Sequence, residues 1–123
     1  MAPERKLYQD LRKNIPQILW TRLENLSLLG TPDLLGYNTS GHFFTVELKV
    51  VKSKKILFSP HQISFHVQHP NNTFILAKKP SQAACKLFPG TSILALVKEG
   101  FKNQDACCLS LEACGLFLSS LGA

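Results

Sequence analysis

Leu7, Leu11 and Ile15 recur every fourth residue near the start of the chain, which is the spacing of one face of a helix. Pro3 suits a first helical position, Glu4 suits the positive end of the helix dipole, and Pro16 stops the pattern. A helix is therefore predicted over residues 3–15. Residues 18–25 mix branched, aromatic and polar side chains and read as a strand, and 26–30 as a connection. A short apolar strand over 31–37, turn formers at 38–41 and a strand over 42–50 make a hairpin. Ser59 and Pro60 look like an N-cap and a first helical residue, so a helix should run from there to about residue 69, before Pro70. Asn71 and Asn72 mark a turn, and 73–77 reads as a clean strand. Residues 80–90 look like loop or short helix, 92–97 like a strand, and 100–105 like a polar turn. Ser110 is placed to cap a last helix through Leu121. With no repeat and no linker, the pattern predicts one α/β domain over residues 1–123 with a mixed central sheet.

Composition narrows the class. The 123 residues are 45% apolar and 18% charged, which excludes a disordered or fibrous chain. No apolar run reaches the roughly 18 residues needed to cross a bilayer, and the charged start shows no signal peptide. A cytoplasmic address without membrane attachment is the expectation. A net charge of +6 points to a polyanionic partner, most often nucleic acid. Cys85, Cys107, Cys108 and Cys114 contain no C-x-x-C pair and read as buried thiols acting as small hydrophobes. His66 and His69 share a helix face, but no third ligand accompanies them, so zinc is not expected.

The strand over 42–50 carries the candidate chemistry. Its side chains alternate, so His42, Phe44, Val46 and Leu48 form a mostly apolar face. Phe43, Thr45, Glu47 and Lys49 form the other, charged at its far end, with Glu47 and Lys49 about 7 Å apart by strand rise. The hairpin can bring Asp33, which follows Pro32, beside Glu47. Two adjacent carboxylates repel, and a divalent cation between them relieves that.

Thr31-Pro-Asp-Leu-Leu-Gly36 and Thr45-Val-Glu-Leu-Lys49 resemble the two signature strands of the PD-(D/E)XK nuclease superfamily. Ser59-Pro-His-Gln62 is similar to the helix start of VRR-nuclease-like members, phage endonucleases and archaeal Holliday-junction resolvases. Arg22-Leu-Glu-Asn25 ahead of Gly30-Thr-Pro-Asp33 looks like small phage-encoded members, and the compact form favours a phage source. The resemblance implies an αβββαβ restriction-endonuclease-like core and a Mg²⁺-dependent endonuclease acting on DNA, with Mn²⁺ able to substitute. It implies that Asp33, Glu47 and the carbonyl of Leu48 hold the metal, that Lys49 positions the attacking water, and that Gln62 orients Lys49 or contacts phosphate. A further acidic residue would come from Glu4 or Glu24, with Glu24 favoured because it sits in a family-like segment. Duplex, junction, flap and single-stranded substrates stay open, as does RNA. The alternative function is a non-catalytic nucleic-acid-binding module acting within a larger repair or replication complex.

Lys52, Lys54 and Lys55 follow the signature strand and make a basic ridge for a nucleic-acid backbone, which Lys78 and Lys79 could extend. No aromatic stacking platform stands out. The last helix carries Leu111, Ala113, Cys114, Leu116, Phe117, Leu118 and Leu121 and is apolar on nearly every side, so a homodimer through it is expected.

Overall fold

The apolar row of the first helix becomes one wall of the core. A computed structural model describes residues 3–23, 30–80, 82 and 84–123. Helix α1 spans Pro3–Asn14, and Leu7, Leu11 and Ile15 are each at most 2% exposed. Strands β1 (Leu19–Arg22), β2 (Leu34–Tyr37) and β3 (Phe43–Val50) follow, then helix α2 (Pro60–Gln68) and strands β4 (Thr73–Lys78) and β5 (Cys85–Pro89). Helices α3 (Ile93–Glu99) and α4 (Leu111–Ser120) complete the described elements, with 3-10 turns at Gly90–Ser92 and Gly100–Lys102.

The five strands form one sheet in the order β1-β2-β3-β4-β5. Only β3 and β4 run parallel; the other neighbours are antiparallel, so the expected mixed sheet is present. A parallel pair needs a crossover, and α2 supplies it. Phe44, Val46 and Leu48 face α1 and α4 in one apolar cluster, while Ile75, Ala77 and Phe88 face α3 in a second. Gly36 sits directly beneath the Phe44 ring, where a Cβ would overlap it. That close approach explains a glycine in mid-strand.

Two expected elements exchange places. The strand expected at 92–97 is helix α3, with Ile93 and Leu96 buried and Leu94 and Val97 exposed, a three-residue spacing rather than alternation. The segment expected to be loop or helix holds β5, an edge strand ending in Pro89, where a missing N–H is tolerated. Its outer side is covered by residues 107 and 108, through Leu87 N to Cys108 O at 3.1 Å and Cys107 N to Leu87 O at 2.7 Å. Cys85, Cys108 and Cys114 are buried as expected, whereas Cys107 is exposed.

Helix α4 packs only one side inward. Cys114, Gly115 and Leu118 are buried, and Leu116 is 69% exposed. The buried Asn38 amide, in the turn of the β2–β3 hairpin, donates to Leu118 O at 2.9 Å and Leu121 O at 2.8 Å. It adds a donor to carbonyls at the end of the helix, where intrahelical partners run out. No helix among the described residues is long and apolar enough to cross a membrane.

Candidate active site

Strand register assembles the site. Leu34 pairs with Val46, so Asp33, one residue before β2, falls opposite Glu47. Asp33 is tied on two sides: its Oδ2 accepts from Leu48 N at 2.8 Å and its carbonyl accepts from Leu23 N at 2.7 Å. Gly30, at φ +80°, passes so close to the backbone of His61 that a Cβ would overlap it. Only glycine takes that conformation at no steric cost, and the turn brings Thr31-Pro32-Asp33 tight against the start of α2.

Glu47 is 2% exposed, an unusual burial for a carboxylate. Its Oε2 accepts from Gln62 Nε2 at 3.4 Å, and its Oε1 is buried with no hydrogen-bond partner. Burial first, then the neighbouring Asp33, push the Glu47 carboxyl up to about 9; Lys49 opposes this and Glu4 adds to it. A buried oxygen without a donor, beside a second carboxylate, fits a hard cation that would remove both penalties. Among the described residues no three His, Cys, Asp or Glu side chains gather as a metal cluster. A carboxylate pair with one backbone carbonyl would leave positions for water and phosphate, as Mg²⁺ prefers.

Lys49 is held from two sides. Its Nζ donates to Gln62 Oε1 at 2.9 Å and lies 4.9 Å from the centroid of the Phe58 ring. Gln62 Oε1 also accepts from Ser59 N at 3.0 Å, while Ser59 Oγ accepts from Gln62 N at 3.1 Å. That reciprocal pair is a capping box, which the Ser-x-x-Gln spacing signals in the sequence. One amide thus starts α2, aims Lys49 and reaches Glu47.

A cleft of about 560 Å³ opens over these groups, lined by Glu4, Arg5, Arg22, Asp33, Glu47, Leu48, Lys49 and Gln62. Of the two candidate supporting acids, Glu4 is here, its Oε2 accepting from Val50 N at 3.1 Å. Glu24 lies outside the described residues. Arg5 and Arg22 were not singled out by sequence reasoning. Arg5 follows Glu4 directly in the first turn of α1, and that adjacency is the signal that could have found it.

No family model matches the chain, and no curated relative matches it either. Among solved structures it is similar to Hjc of Archaeoglobus fulgidus, a Holliday junction resolvase from an archaeal hyperthermophile. The two share 21% identity and superpose with a TM-score of 0.50 over 70% of this chain and 72% of the other. The fold is that of the resolvase.

Within this frame, the expected basic ridge borders the cleft and its expected extension at Lys78 does not. Lys52 and Lys55 line an adjoining groove of about 330 Å³ that also includes Glu4 and Lys49. Lys54 is exposed beside it. Lys78 turns to the opposite side of the sheet, toward Lys6 and Asp10 of α1. His66 Nδ1 bonds Gln62 O at 2.9 Å and His69 Nδ1 bonds Phe65 O at 2.7 Å, so each imidazole serves its own helix. An exposed aromatic pair missed in the sequence, Tyr37 and Phe43, has ring centroids 4.5 Å apart across the hairpin.

Proposed function

We propose that the chain is a divalent-metal-dependent endonuclease that hydrolyses phosphodiester bonds in branched DNA. The observation that carries this reading is the buried Glu47 carboxylate, with one oxygen unpartnered, between Asp33 and Lys49. Asp33, Glu47 and the carbonyl of Leu48 would hold Mg²⁺, with Mn²⁺ substituting. The bound metal supplies Lewis-acid polarisation of the phosphate and a lowered pKa for bound water. Lys49, held by Gln62, places an ammonium where charge develops on the phosphate and orients the attacking water. Arg5 and Arg22 set further positive charge in the cleft, and Lys52, Lys54 and Lys55 hold the backbone leading out of it.

The likeness to a Holliday junction resolvase supports a branched substrate over a linear one. Supercoiled plasmid, linear duplex, four-way junction and single strands incubated with Mg²⁺ or with chelator provide the test. Cleavage of the junction in Mg²⁺ and none in chelator is the expected result. Tight binding without cutting in any metal would instead favour the non-catalytic module.

We also propose a homodimer that uses the exposed part of α4 and its approach, Leu116 and Leu109, which are 69% and 60% exposed. Sedimentation is expected to show a dimer that Leu116→Asp converts to monomer. A wild-type chain that stays monomeric at high concentration removes this proposal and leaves the endonuclease reading intact.

A further inference from the structure

Basic residues also gather away from the cleft, around one aromatic ring. Phe101 is 8% exposed and lies beneath two ammonium groups: Lys79 Nζ is 5.2 Å from its centroid and Lys86 Nζ is 4.6 Å. Lys86 Nζ also donates to Phe101 O at 2.6 Å, and Phe101 N donates to Lys54 O at 3.0 Å. A single residue thus ties together β5, the segment after β4 and the ridge at residues 52–55. The ring face attracts each cation, but the two cations repel each other. Among the described residues neither lysine has an ion-pair partner. Glu99, the acidic residue closest to Phe101 in the chain, forms no ion pair with either lysine and accepts from Asn103 Nδ2 at 2.6 Å. Two positive charges fixed on one ring without a counter-charge suit an external polyanion.

Sheet register relates this cluster to the cleft. Lys49 pairs with Ala77, and Ala77 pairs with Lys86. The two lysines stand on one rung and one face, two strands apart, which is about 10 Å along the sheet.

We propose that Lys79 and Lys86, mounted on Phe101, bind the phosphate backbone of the same DNA that enters the cleft. That this DNA is also cut rests on the endonuclease reading; the binding of backbone does not.

Anisotropy of a labelled duplex and of a four-way junction, titrated in chelator between about 50 and 200 mM salt, tests it without any cleavage. Each phosphate contact contributes about 0.9 to the slope of log affinity against log salt. The double variant Lys79→Gln/Lys86→Gln should lower the slope by about 1–2 and weaken binding about tenfold. Lys86→Arg keeps the charge and should keep the slope. If the double variant does not fold, Lys79→Gln alone carries the test, because among the described residues its ammonium, unlike that of Lys86, donates no hydrogen bond that the fold depends on. A methylphosphonate scan should reveal neutralised positions that weaken wild-type binding and leave the variant unaffected. Identical slopes and scans in folded wild type and variant, or no DNA binding by the wild type, overturn the proposal. Wild-type binding with the expected slope but no cutting in Mg²⁺ removes the endonuclease reading and leaves the lysine site standing.

Discussion

Glu47→Gln is expected to reduce DNA cleavage by at least about 10³-fold while leaving a folded protein. The replacement keeps shape and volume but removes the charge that would hold the metal. It also removes a carboxyl that the fold keeps protonated. The Glu47 carboxyl moves from the ordinary 4.5 to about 9, through burial and then Asp33. Between those values the unfolded chain has released a proton that the folded chain retains. Unfolding therefore becomes easier as pH rises across that window, and the stabilising contribution is fully present below it. Melts in chelator should show the wild type losing stability from about pH 5 to pH 8, while Glu47→Gln loses less, by about 4 °C or more. Wild-type cleavage rates in the variant would refute the site assignment. Parallel melting curves for the two proteins would refute the buried, protonated carboxyl.

The second large effect is expected at Gln62. Gln62→Glu retains the side chain that the capping box requires and retains an acceptor for Lys49. It loses the N–H that reaches Glu47 Oε2 and adds a third carboxylate to the pair. Activity should fall about 10–100-fold with the melting temperature nearly unchanged. The pH at which cleavage sets in should rise, because an added negative charge makes Glu47 harder to ionise. Gln62→Ala also removes the side-chain half of the capping box, leaving the Ser59 N–H without its acceptor, and should cost about 0.5–1 kcal/mol of stability besides. A purely structural role for Gln62 predicts the reverse pattern, with full activity in Gln62→Glu and loss confined to Gln62→Ala.

Asp33, Glu47 and Lys49 were legible because they depend on short-range rules. Strand alternation fixes the face of Glu47 and Lys49, and hairpin register fixes the partner of Glu47. Ser59 as the N-cap and Pro60 as the first helical residue were local in the same way. Glu4 was harder to choose, because its approach to Val50 N spans 46 positions and depends on how α1 crosses the sheet. The exchange between β5 and α3 has a similar origin. Ile93, Leu94, Leu96 and Val97 form an apolar run too short to separate the two periods, and burial of Ile93 and Leu96 decides it. The lysines on Phe101 come from separate segments, and no spacing rule brings them together.

The two bonds from Asn38 to α4 bear on how the molecule opens. If α4 lifts away, a buried amide loses both acceptors at once, at about 1–3 kcal/mol for a group left unsatisfied. That amide belongs to the turn joining the strands that present Asp33 and Glu47. Partial opening at α4 is thereby made costly, and the helix and the hairpin behave as a single cooperative unit in exchange with solvent. The carboxylate pair of the candidate site is then guarded against local fraying by an asparagine at the opposite end of its own hairpin.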